Sequence, residues 1–194
     1  MVVPEFPEKT VAIQKHLREV GITAETFNCV SAVESGLETI HPYERDAPGS
    51  GWNIGPKSVA LNVSFQMFWQ AASYMPDDYF LFLEWDVKFQ PDWFKRTEQA
   101  LRDVPPDFDI LCLGHCCCKE RPKTQIKGEV WEVKWPMCNH AQIFAKKSLP
   151  TLLRTQRKIY APWDISLLLH TYPLLKVYSV LPRVADQFDT ELPE

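Results

Sequence analysis

The sequence predicts an α/β domain with a mostly parallel central sheet flanked by helices. Three observations carry that expectation. Apolar runs of strand length alternate with stretches of helical period. One run, Tyr79-Phe80-Leu81-Phe82-Leu83, is continuously apolar, as expected for a strand buried on both faces of a sheet. The length, 194 residues, suits one domain and buries roughly 70% of the unfolded surface. Residues 1–187 form that domain, and 188–194 read as an acidic tail that frays.

The elements follow in order. After a short apolar start at Val2-Val3, residues 8–20 read as a helix, with Ile13, Leu17 and Val20 at helical spacing and Gly21 as the stop. Residues 26–30 are a short strand candidate. Residues 34–56 carry no period, and His41-Pro42 and Ala47-Pro48-Gly49-Ser50-Gly51 mark irregular chain. Residues 57–74 read as a helix with Val59, Val63, Met67, Gln70 and Ala71 on one side. Pro91-Asp92 opens a helix to Val104, with proline at a favoured first position. Residues 109–113 are a second buried strand. Trp131, Val133 and Trp135 alternate with Val130, Glu132 and Lys134, the mark of a half-exposed strand. A strand at 142–145, helices at 149–155 and 164–170, and a strand at 174–180 complete the pattern.

Composition excludes several classes. Hydrophobic residues make up 45% and charged residues 24%, a globular balance that argues against disorder. No apolar run approaches the ~20 residues of a membrane helix. The N-terminus shows no signal peptide, so the expected location is cytoplasmic. The charge of −4 argues against a nucleic-acid partner held by bulk charge. The basic run Lys119, Arg121, Lys123 and Lys127 reads as a solvated loop. Gly49-Ser50-Gly51-Trp52-Asn53-Ile54-Gly55 is one residue too long for a dinucleotide fingerprint and follows no strand. Of the seven tryptophans most are expected in the core, although flat apolar rings also suit sugars and bases.

Glu84 and Asp86 end the best strand. Ligands of open α/β sheets bind beyond the carboxyl ends of the strands. Two residues apart in extended chain, these carboxylates point to one side. Mg²⁺ or Mn²⁺ held by such a pair, with substrate phosphates, would neutralise a leaving diphosphate. Taken alone, the spacing equally suits two acids on a solvated turn.

Several segments carry a resemblance. They are Asn53-Ile54-Gly55-Pro56-Lys57-Ser58-Val59-Ala60-Leu61-Asn62-Val63-Ser64 with Trp69, Phe82-Leu83-Glu84-Trp85-Asp86-Val87, Asn139-His140-Ala141-Gln142-Ile143-Phe144, Pro162-Trp163-Asp164, and residues 177–187. Together they resemble glycosyltransferase family 25, the lipooligosaccharide and collagen galactosyltransferase-like group with a GT-A type fold. The resemblance implies a metal-dependent inverting transferase, moving a sugar from a nucleotide-diphosphate sugar to an acceptor hydroxyl. UDP-hexose is the default donor. A glycan or lipooligosaccharide is the first acceptor, with a protein or hydroxylated nucleobase also compatible. It makes Glu84 and Asp86 the ligands of Mn²⁺ or Mg²⁺. An inverting transferase needs a carboxylate to take the acceptor's proton, and Asp164, 78 residues beyond Asp86, is that base. A helix-capping role is its plainer reading. Trp85, Trp163, His140, Asp186, Gln187 and Lys57 are candidates for donor or acceptor contacts, with His170 and Arg183 behind them. The sequence departs from the family where Trp85 replaces a middle acid, Phe65 replaces a histidine, and the opening strand shrinks to Val2-Val3-Pro4.

Two other classes stay open. One is a non-catalytic nucleotide- or sugar-binding module on the same fold. The other is a zinc-binding interaction protein using Cys112, His115, Cys116, Cys138 and His140, whose spacing fits no standard finger. Cys116, Cys117 and Cys118 are adjacent, so buried or loop thiols are expected and a disulfide framework is not.

Overall fold

The structure, a computed structural model, describes residues 7–31, 55–116, 123–134, 136–159 and 161–188. The Val2-Val3 start, the irregular stretch up to residue 54, Cys117 to Arg121, Trp135 and the tail from 189 lie outside them.

Helix α1 (Pro7–Glu19) carries Glu8 in its first turn and His16 and Arg18 in its last, each opposing the helix dipole. It buries Ile13 and Leu17, and Gly21, at φ +79°, lets the Ile22 N–H reach the Leu17 carbonyl at 2.8 Å. The strand expected at 26–30 reduces to one bridging residue, Asn28. The Val30 N–H turns to the Ser64 hydroxyl instead, at 2.8 Å.

Helix α2 (Pro56–Tyr74) buries Val59, Asn62, Phe65, Trp69 and Ala72. Of the residues grouped on one side, Val59 is buried but Met67 is 49% exposed. Phe65 and Trp69 lie one turn apart and bury the most area, so they select the inward face.

Strand β1 (Tyr79–Leu83) matches the apolar run, but it lies at a sheet edge. Tyr79 and Leu81 are 52% and 40% exposed, so burial on both faces does not hold. Strand β2 (Val87–Phe89) leads to α3 (Trp93–Asp103), which starts two residues after Pro91 with Asp92 as its cap. Strand β3 (Ile110–Cys116) is buried throughout. Strand β4 (Lys123–Lys127) stands where a loop was expected, with all five residues exposed, and a tight turn with Gly128 at φ +54° joins it to β5 (Val130–Val133). In β5, Val130 and Val133 are both buried, so strict alternation fails there. Strand β6 (Met137–Ala145) is followed by α4 (Leu149–Thr155). Helix α5 (Trp163–Ser166) widens into a π turn over Leu167–Thr171. Strands β7 (Val177–Val180) and β8 (Ala185–Gln187) close the chain.

Six strands pair in the order β1-β6-β3-β7-β5-β4, and β2 and β8 form a separate pair. The sheet is mixed, which corrects the mostly parallel expectation. Only β3 and β7 are parallel neighbours, and the other pairs run antiparallel. Strands β1, β3 and β7 nevertheless point the same way, because β6 is inserted in reverse between β1 and β3.

Helices cover both faces. Along β3, Leu111 and Leu113 join Ile13, Leu17, Ala100 and Val104 on one side. Ile110 and Cys112 join Phe65, Trp69, Leu152 and Trp163 on the other. That alternation is the period of two that a central strand requires. No described helix is long and apolar enough to cross a membrane.

Candidate functional site

The carboxyl ends of β1, β3 and β7 lie at one end of the sheet, and β6 begins there. Glu84 follows β1 directly. Its N–H donates to the His140 carbonyl at 2.9 Å, one step past the last β1–β6 pair. The chain then folds back, with the Val87 N–H 3.4 Å from the Glu84 carbonyl. Glu84 and Asp86 are therefore on a turn, and the extended geometry expected from their spacing does not occur. The turn still keeps their charges together.

Asp164 joins them from α5. All three carboxyls are close enough for charge to act between them at Glu84. Burial first, then the Asp86 and Asp164 charges, raise the Glu84 carboxyl to about 8, against a lowering hydrogen bond from Trp163. Glu84 thus holds a proton at neutral pH where an exposed glutamate would not.

The neighbours explain the geometry. Trp163 is buried, with its ring stacked on Phe65 at a centroid distance of 3.3 Å. It reaches the acids by its indole edge, so the stacked face is taken by Phe65. Asp164 does not cap α5, whose cap is Pro162, but its Oδ1 accepts the Ile165 N–H at 2.9 Å. Gln187 donates through Nε2 to Asp86 Oδ2 at 2.9 Å, and the Phe188 N–H donates to the Asp86 carbonyl at 2.8 Å. Lys9, from α1, places its ammonium 4.0 Å from the centre of the Trp85 ring.

The side chains of Asp186 and His140 turn to other partners. Asp186 pairs with Arg183 and accepts the Gln90 amide at 2.6 Å, which ties β8 to the end of β2. His140 is 1% exposed, with Nδ1 3.2 Å from the Cys138 carbonyl and Nε2 2.9 Å from the Ala185 carbonyl. Its ring therefore meets backbone at both nitrogens, and burial lowers its pKa. Lys57 is exposed at the start of α2. Among the described residues no hydrogen bond or ion pair ties it to the acids. His170 is half-buried on the π turn.

No protein-family model matches the chain, and no curated protein matches it. The site rests on its own geometry.

The cysteines take another form. Cys116 and Cys138 are joined in a disulfide, which corrects the expectation of thiols alone. Those two sulfurs are no longer thiolates, so the proposed zinc set does not assemble. His115 bonds the Val180 carbonyl at 3.1 Å, and Cys112 accepts the Gln142 amide at 3.4 Å. Burial lowers the His115 pKa to about 4.

The donor chemistry of the acid site can be tested against a divalent ion. Among the described residues no three His, Cys, Asp or Glu side chains form a metal cage. Two hard carboxylates in an enclosed, like-charged setting suit Mg²⁺ or Mn²⁺ that completes its shell with substrate oxygens and water. Glu84 and Asp86 would be the two protein ligands of such an ion.

Sequence reading missed Lys9 and Gly114, and it noted Phe65 only as a departure from the resembled family. Spacing carries no signal for Lys9. Gly114 did carry one, a glycine inside a buried strand, which marks close approach. A Cβ there would meet His140 Cδ2 at 2.3 Å and Nε2 at 2.4 Å.

Proposed function

We propose that this chain is a metal-dependent inverting glycosyltransferase that moves a sugar from a nucleotide-diphosphate sugar to an acceptor hydroxyl. The observation that carries the reading is that the Asp86 and Asp164 charges both act on Glu84, which directly follows β1. The likeness of the motif segments to glycosyltransferase family 25 supports it and suggests UDP-hexose as donor and a glycan as acceptor. Glu84 and Asp86 hold Mn²⁺ or Mg²⁺, and Gln187 orients Asp86. When bound, the ion offsets the charge that develops on the diphosphate leaving group. Asp164 takes the acceptor's hydroxyl proton on Oδ2, since the Ile165 N–H holds Oδ1. Trp163 fixes Glu84 through its indole, and Phe65 fixes Trp163. A cytoplasmic location belongs to the same reading.

The test is thermal stability across nucleotides and nucleotide sugars, each with and without Mn²⁺. A ligand that binds only the native state stabilises it by about 2.7 kcal/mol at 100 times Kd. The reading expects a shift with UDP or a UDP-sugar only when Mn²⁺ is present, lost in Asp86→Ala. A shift that survives chelation would favour the non-catalytic binding module. No shift with any nucleotide would overturn the transferase.

A further inference from the structure

The Cys116–Cys138 disulfide stands beside the acid site and is joined to it by a short chain of contacts. Cys138 lies at φ +64°, a conformation that residues other than glycine seldom adopt. Its carbonyl faces His140 Nδ1, and His140 Nε2 faces the carbonyl of Ala185, the first residue of β8. The His140 carbonyl takes the Glu84 N–H. Two residues past Ala185, Gln187 donates to Asp86. His140 therefore holds both the segment that presents Glu84 and the strand that orients Asp86.

The β3–β6 ladder is irregular at this end, with register shifts between Cys112 and Gly114 and again between Gly114 and Cys116. Cys116 still pairs with Met137 there, and the covalent bridge to Cys138 adds a second link at the same end. Gly114 leaves room for the His140 ring against β3. Cys138 is half-buried and Cys116 is buried.

We propose that His140 is the positioning residue of the acid site and that the Cys116–Cys138 disulfide is the redox latch that sets it. A dithiol opens the latch. Two electrons and two protons pass from the dithiol to the bridge, leaving two cysteine thiols, and the dithiol closes to its own disulfide. Released, Cys138 leaves the left-handed conformation and its carbonyl turns away from His140. The His140 ring loses its contact with the Cys138 carbonyl, and β8 and the Glu84 turn loosen together. The cation-binding arm of this inference rests on the proposed metal site. The structural arm does not.

The experiment uses the full chain, air-oxidised, dithiol-treated, and as the Cys116→Ser/Cys138→Ser double variant. Amide hydrogen exchange is followed at Glu84 and Gln187, Mn²⁺ affinity by titration, and overall folding by far-ultraviolet circular dichroism. The latch predicts at least tenfold faster exchange at Glu84 after reduction, unchanged helix content, and Mn²⁺ affinity about tenfold weaker. The double variant matches the reduced form and ignores dithiol, and His140→Asn gives the weak affinity in either redox state. Equal exchange in the oxidised and reduced forms would overturn the latch. So would global unfolding on reduction, which would make the bridge a plain structural bond. Faster exchange without Mn²⁺ binding in any form would uphold the latch and overturn the metal site. If the double variant does not fold, the dithiol-treated wild type decides the question.

Discussion

Two polar regions share one end of the sheet and solve burial in opposite ways. Around His115, Cys138 and His140, each ring nitrogen with a described contact faces a backbone carbonyl, two sulfurs are joined, and Asp186 is balanced by Arg183. Around Glu84, three acids are drawn together, and one of them keeps its proton to about pH 8. Satisfied polar groups hold a fold in place. Like charges brought near one another shift pKa values, and such shifts collect at sites that bind or react. The contrast separates residues that would be treated alike from their types alone. His140 reads as a ligand in the sequence and is a strut in the structure.

Substitutions on the two sides should therefore fail differently. The largest effect is expected from Asp164→Asn. Turnover should fall by about 10²–10⁴-fold, the usual contribution of a general base, with donor and cation binding kept. Steady-state rates beside donor titration check this, and a parallel loss of binding would make Asp164 a ligand instead.

pH sharpens the comparison next. His115 has its folded pKa lowered from 6.5 to about 4, so its contribution to stability is full above 6.5 and is lost as pH falls toward about 4. The whole span is worth up to about 3 kcal/mol at 1.36 kcal/mol per unit. Glu84 has the opposite sign. Its pKa is raised from 4.5 to about 8, so its contribution is full below 4.5 and is lost as pH rises through about 8. Denaturant unfolding between pH 4 and 9 should show the acid-side loss shrink in His115→Asn and the alkaline-side loss shrink in Glu84→Gln.

Gly114→Ala comes third. The added methyl would meet the His140 ring at 2.3 Å and the Ala185 carbonyl at 3.0 Å. It should destabilise by about 1–3 kcal/mol, the usual range for overpacking, as read by the denaturant midpoint. Asp86→Ala should cost cation binding with far less change in that midpoint. The smallest effect belongs to the exposed Glu98–Arg102 pair on α3, whose removal should change stability by about 0.3–0.5 kcal/mol. It sets the scale for charges that water already screens.

Much of this was legible in the sequence. Periodicity located α1 and α2, apolar runs marked β1 and β3, Pro91 marked the start of α3, and Glu84, Asp86 and Asp164 were named from their positions and the resemblance. Strand direction was not legible. Alternation of side chains is the same in parallel and antiparallel strands, so the reversed β6 between β1 and β3 left no trace. Strands β2 and β8, three residues each, are too short to show a period. Disulfide pairing depends on which strand ends meet in space, and Cys116 and Cys138 are 22 residues apart.

The proposal's central point is that a divalent cation would take the place of the proton on Glu84. The most direct measurement is calorimetric titration of the oxidised protein with Mn²⁺ at pH 7, in buffers of different ionisation enthalpy. Binding at this site should release about one proton per ion, since the ligand must be deprotonated, and the release should vanish in Glu84→Gln. Mn²⁺ binding that releases no proton, or the same release from the Glu84→Gln variant, would contradict the claim.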